Sequence, residues 1–345
     1  MTTAVPALLP APRSADGLLR RAWAFSPLLT LAGLASLALI PLFILAALVD
    51  PRTITGAPAW IKPLKFAISI AIFSATFVWL LTFVDRTDGL SADRQSYRPS
   101  RRVRWIANLT GLALLVEIGL ITMQVIRGTT SHFNASTPFD AAVFSIMGGM
   151  ITAVSVCTLL LAIWLIRQRL PDRVFAWSLR LGVLLSFVGM MVAFLMTTPT
   201  AAQLEAAQAG AGMAVAGAHS VGVVDGGPGL PLLGWSTVGG DLRVPHFFGL
   251  HAMQVLPLIG GLLGLAWARR RLSERQRLAL VWTAGLAYLG LIVLLTWQAL
   301  RGQSIVAPDA LTLTVFGLLA GATALAASIT LLASRLRPQP LGPVS

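Results

Sequence analysis

"TMQVIRGTTSHFN", Thr122 to Asn134, begins as the end of an apolar run and finishes in glutamine, arginine, serine, histidine and asparagine. A second stretch, "TWQALRGQS" from Thr296 to Ser304, repeats its threonine, glutamine, arginine and glycine in the same register. Extended upstream, "GLALLVEIGLITMQVIRG" from Gly111 aligns without gaps to "GLAYLGLIVLLTWQALRG" from Gly285, with 10 of 18 positions identical. Leucine-rich helices match by chance, but glutamine and arginine at the same place in two helix ends do so far less readily. The chain therefore reads as duplicated, and duplicated membrane folds place ligands where their halves meet.

The composition sets the class. A chain with 56% hydrophobic residues, 11% charged residues and a mean hydropathy of +0.79 exceeds what a soluble domain needs. At about 1.5 Å per residue, roughly 20 apolar residues cross the hydrocarbon. Stretches at 27–49, 64–84, 105–126, 141–166, 175–198, 247–268, 278–300 and 309–333 qualify. The first follows Arg20 and Arg21 as a signal peptide would, but its apolar run is too long for one, so it is expected to be retained. "IKPLKF" from Ile61 also aligns to "LRVPHF" from Leu242, pairing Lys62 with Arg243, Lys65 with His246 and Phe66 with Phe247. The loops "LSADRQ" from Leu90 and "LSERQ" from Leu272 correspond as well. Spans two and six, and three and seven, are thus equivalent. The expected fold is an all-α integral membrane protein of eight transmembrane helices, built as two parallel four-helix repeats with the N and C termini cytoplasmic. Its expected parts are a tail at 1–26, a first repeat at 27–166, a linker at 167–174, a second repeat at 175–334 containing a lid loop at 199–245, and a tail at 335–345.

The formal charge of +13 is a topology signal. With the N-terminus in the cytoplasm, 20 of the 26 basic residues fall in cytoplasmic segments, leaving only Arg52, Lys62, Lys65, Arg127, Arg243 and Arg301 outside. That is the positive-inside bias, and it points to a lipid bilayer as the partner rather than to nucleic acid. The lone Cys157 lies within a span, so cysteine supplies neither an intramolecular disulfide nor a metal cluster. Arginine outnumbers lysine 24 to 2, which suits a GC-rich bacterium, and the expected location is a bacterial cytoplasmic membrane.

Chemistry concentrates on the outer side. Gln124 with Arg127, and Gln298 with Arg301, stand at corresponding helix ends. An arginine there complements the helix dipole and reaches lipid phosphate, and the glycine after it caps the helix. As a pair, the two arginines could also face an anionic cofactor or lipid, as could Lys65 and Arg243. Glu117 breaks the symmetry, because its repeat partner is Leu291. A carboxylate near mid-membrane must be protonated, paired or wetted, which makes Glu117 a functional candidate. Gln124, seven residues on, shares its face, so the two could line a polar track from the outer surface.

All four histidines are also outer: His132, His219, His246 and His251. His246 and His251 are five apart, about 140° around a helix, and cannot chelate one ion from a regular helix without partners from elsewhere. A metal set of His132, His219 and His251, or a heme held by His251 with His132 or His246, would need convergence in space. Between spans five and six, an alanine-rich part from Ala201 reads as a surface helix, and "DGGPGLPLLGWSTVGGDLRVPHF" from Asp225 reads as a succession of turns. Loops of this length act as lids or binding segments.

Three functions fit. The first is a protein binding heme or a divalent metal at the histidines, with the outer cations meeting acidic groups. In plan, eight helices in two four-helix halves with outer histidines resembles heme A synthase; the resemblance is architectural and assigns no residue, since that family's glutamate and histidine signature is absent. The second is an enzyme acting on a lipid or isoprenoid, using a histidine such as His132 with Asp140 or Asp241 as acid or base. The third is a proton-coupled transporter whose carrier is Glu117.

Overall fold

The computed structural model describes residues 15–84 and 99–332. The arginines at 86, 94 and 98, the "LSADRQ" segment and the terminal tails beyond those limits lie outside the described residues. Within them the chain is mostly helical. The elements run α1 (Ala15–Phe25), α2 (Pro27–Val49), β1 (Thr53–Ile54), β2 (Ala57–Pro58), α3 (Ile61–Val84), α4 (Arg101–Ile126), α5 (Pro138–Arg167), α6 (Arg173–Met196) and α7 (Ala201–Gln208). Then follow β3 (Ser220–Val221), β4 (Gly240–Asp241), α8 (Arg243–Leu263), α9 (Ala266–Arg271), α10 (Glu274–Leu300) and α11 (Ala310–Leu332). Eight helices, α2, α3, α4, α5, α6, α8, α10 and α11, are long and apolar enough to cross a membrane. The chain is a multi-pass membrane protein.

Local chemistry sets the helix starts. Ser26 accepts a bond from the Leu29 N–H ahead of Pro27, Thr137 caps α5 through the Asp140 N–H, and Asp172 caps α6 through Val174 and Phe175. Ser273 with Gln276, and Thr200 with Gln203, form capping boxes on α10 and α7. Several helices begin earlier than hydropathy alone places them, because capping and backbone bonding extend a helix beyond its apolar window. Thus α3 begins at Ile61, α4 at Arg101 and α8 at Arg243. The sixth span also stops sooner, at Leu263, and the run to 268 bends at Gly264 into the separate short α9. The N-terminal tail holds a helix of its own, α1.

The core is built by close backbone approach. α6 and α8 touch where a Cβ added to Gly249 would lie 2.3 Å from Gly189 Cα, so no side chain fits at this crossing. Ser186 donates to the Leu250 carbonyl beside it. In the first four spans α2 packs on α3 and α4, α3 on α4, and α4 on α5. In the last four α6 packs on α8 and α10, α8 on α10, and α10 on α11. The two groups meet where α5 packs on α6, where Gln254 donates to the Thr76 hydroxyl, and where Trp79 and Phe83 meet Phe175 edge-on.

The outer connections are ordered. α7 is the surface helix expected at Ala201. The rest of the segment between α6 and α8 is tied down by the antiparallel pair of β3 and β4, by Ala216 donating to the Phe133 carbonyl, and by Lys65 donating to the Leu233 carbonyl. It forms a packed cover over the start of α3 and the ends of α4 and α10.

Candidate functional site

Both helices that carry the repeated Gln-x-x-Arg-Gly end as the sequence implies. Gly128 and Gly302 take left-handed conformations with φ of 75° and 73°, the state glycine adopts without steric cost. The side chains also find partners within the chain. Gln124 donates to Asp140 Oδ1 at 2.9 Å, and Arg127 bonds Gln124 Oε1 and pairs with Asp140 at 2.6 Å while lying over the Phe139 ring. Arg301 pairs with Asp309 at 2.6 Å over the Trp297 ring, and Gln298 donates to the Ser304 carbonyl. The anionic group that each arginine faces is thus an aspartate at the start of the next helix. Arg301 and the Thr312 N–H hold the Asp309 carboxyl well below the usual carboxylate range, while partial burial opposes them.

Arg243 is likewise satisfied internally. It grips Asp241 through Nε and Nη2 and donates to the Gly234 carbonyl. Lys65 is occupied by the cover. His246 makes an Nδ1 contact of 2.8 Å with the Gly189 carbonyl, and His251 stacks edge-on against Phe247. Asp140 and Asp241 therefore serve arginines rather than histidines. Among the described residues no three His, Cys, Asp or Glu side chains stand close enough to hold a metal ion. His132, His219 and His251 accordingly do not form a three-ligand set.

What the fold does assemble is a pair of acid–histidine contacts under the cover. His219 Nδ1 lies 2.7 Å from Asp225 Oδ2, and the same carboxylate receives the His219 and Ser220 N–H groups. Burial would raise Asp225, but the bonds from His219 and Ser220 outweigh it and hold the carboxyl well below its ordinary value. Burial lowers His219, against the pull of Asp225, with Lys62 and Arg243 pushing further down.

The second contact is between His132 and Glu117. His132 Nε2 stands 3.6 Å from Glu117 Oε1, beyond hydrogen-bond length, and its Nδ1 lies 3.0 Å from the Ser131 hydroxyl. Phe133, buried at φ 60°, turns the chain here and lies edge-on against both His132 and His219. A left-handed aromatic residue costs on the order of 1 kcal/mol or more and persists only where packing holds it. Burial, then the charge of Lys62 and the neighbouring His219, lowers His132 well below the usual histidine range.

Glu117 is 1% exposed, and neither of its carboxylate oxygens has a hydrogen-bond partner among the described residues. The His132 side chain beside this buried acid keeps 21% of its surface exposed. Lys62, half-buried at the start of α3, completes the group. It is electrostatically coupled to Glu117, Arg243, Lys65 and Asp225, and has no hydrogen-bond or ion-pair partner among the described residues. Sequence reasoning paired Lys62 with Arg243 but did not place it in the site. Its signal was rarity, as one of only two lysines in the chain. Comparison of the chain with family models, curated proteins and solved structures gives no match.

Proposed function

We propose that this chain is a proton-coupled membrane transporter in which Glu117 and His132 exchange a proton beneath the outer cover, and in which Lys62 receives an anionic group of the solute. One observation carries the reading: a buried carboxyl without a hydrogen-bond partner among the described residues lies 3.6 Å from the ring nitrogen of a histidine that is itself partly exposed. An ionised carboxylate in such a place costs several kcal/mol unless it is compensated. Moving the proton from Glu117 to the His132 ring leaves a carboxylate beside an imidazolium with no change in their total charge, and Lys62 is the nearby cation that favours the carboxylate. The heme and metal readings lack a shared histidine site, and the lipid-enzyme reading lacks its histidine–aspartate pair at Asp140 or Asp241.

The same proposal includes a duplicated architecture in a bacterial cytoplasmic membrane, with both termini cytoplasmic. The corresponding packing order of the two groups of four spans supports it. So do Gly111 against α2 and Gly285 against α6, which occupy equivalent places in the aligned stretches.

The test is pH-difference infrared spectroscopy of the full chain in lipid. The expected result is a protonated-carboxyl band that titrates, vanishes in Glu117→Gln and shifts in His132→Gln. A spectrum without a titrating band lost in Glu117→Gln overturns the proposal.

A further inference from the structure

Hydroxyl groups in membrane helices usually bond the carbonyl a turn earlier, and this chain follows that habit widely. Thr122, Ser155, Thr158 and Thr296 all donate to the carbonyl four residues before them. Four buried hydroxyls have no hydrogen-bonded oxygen or nitrogen partner among the described residues: Thr30, Ser36, Ser74 and Thr110. All four belong to α2, α3 and α4, which pack on one another, and α4 also carries Glu117. Thr110 has only the Cys157 thiol beside it.

Their depths form a file. α2 and α4 cross where a Cβ on Gly111 would lie 2.3 Å from Leu29 N, which places Thr30 and Thr110 at that level. Gly33 meets Ser74 at 3.1 Å, and Gly33 is four residues or about 6 Å farther out along α2. Ser36 is seven residues beyond Leu29, and Glu117 six beyond Gly111, so both lie about 9–10 Å out, at nearly one depth. On the cytoplasmic side of the crossing, Ser26 bonds the half-buried Asn108 at 3.2 Å. Steps of about 4–6 Å suit single bridging waters, which make two to four hydrogen bonds to polar groups that otherwise lack partners. A buried hydroxyl left wholly without a partner costs about 1–3 kcal/mol, so four at successive depths of three adjoining helices, together with a carboxyl that has no hydrogen-bond partner among the described residues, call for compensation.

From this we infer that the core of α2, α3 and α4 holds a chain of ordered waters which carries protons between Glu117 and the cytoplasmic end at Ser26 and Asn108. The inference rests on the Glu117 proton site proposed above and supplies its inner half-path. A proton leaving Glu117 passes to the first water, each oxygen along the file gives up one proton as it accepts another, and the excess proton emerges at the cytoplasmic surface. His132 serves the outer side in the same way.

The test follows the Glu117 carboxyl band after a pH jump applied to one face of oriented proteoliposomes. In the double variant Ser74→Ala with Thr110→Val, exchange from the cytoplasmic face is expected to slow by roughly tenfold or more, with exchange from the outer face unchanged. Thr158→Val, whose hydroxyl is already bonded within α5, should leave both rates unchanged. Equal rates from the cytoplasmic face in the double variant and the wild type overturn the track. If the double variant does not fold, a high-resolution map of the wild-type chain in nanodiscs decides: water density bonded to Ser36, Ser74 and Thr110 supports the track, and a dry core overturns it. A Glu117 band that never titrates defeats the transporter reading instead, and the same map then judges the waters on their own.

Discussion

His132 and His219 make the protein sensitive to acid. Both rings are held below the ordinary histidine value of 6.5, chiefly by burial. The unfolded chain therefore binds more protons than the folded one once the pH falls below that value. The stability from keeping these rings neutral is complete above about pH 6.5 and is lost progressively on further acidification. The groups that act on His132 are Glu117, Lys62 and His219; those that act on His219 are Asp225, Lys62 and Arg243. Thermal unfolding in detergent should show Tm dropping by several degrees between about pH 7 and pH 5, and His132→Gln should flatten part of that drop. An unchanged slope in the variant would remove His132 from this role. Asp225 and Asp309, held low by their partners, become relevant only at much lower pH, below the carboxylate value of 3.8.

At the scale of elements, the joint of α6 and α8 leaves no room for a side chain. A methyl at Gly189 would lie 2.5 Å from the Gly249 backbone, which forces the helices apart and strains the His246 contact to the Gly189 carbonyl. Gly189→Ala should cost about 1–3 kcal/mol, read as a lowered unfolding midpoint. Gly148→Ala in α5, where nothing lies within 4 Å, should be neutral or slightly stabilising. How much could be read in advance divides along the same lines. The ends of α4 and α10 were legible because glutamine, arginine and glycine report local conformation. Their partners Asp140 and Asp309 were not, because choosing among aspartates needs the angle between adjacent helices. Glu117 stood out as a lone acid in an apolar run, yet its meeting with His132 depends on the left-handed turn at Phe133, a conformation that sequence gives no reason to expect of phenylalanine. Thr110 was within reach, since it lies seven residues before Glu117 as Gln124 lies seven after, but hydroxyls in helices normally satisfy themselves and drew no notice.

For the whole molecule, eight spans and the asymmetric distribution of arginine fix what labelling should show. The native Cys157 is 1% exposed and should stay silent. A membrane-impermeant maleimide applied to intact cells should label Val224→Cys, at an 87% exposed position of the outer cover, and should reach Arg270→Cys only after permeabilisation. The opposite pattern would invert the proposed orientation. The two groups of four helices also differ in their setting. α5 is wedged against α6 as well as α4, whereas α11 rests mainly on α10 and has no buried residue in its apolar window. Its anchors are near its ends: Asp309 with Arg301 just before its start, and the Thr330 carbonyl with Gln276 near its finish. With 23 residues, α11 is about 35 Å long, against roughly 30 Å of hydrocarbon. Bilayer thickness therefore registers first as a tilt of this last helix, with a lipid-facing surface free to lean and an ion pair at its outer end to lean upon.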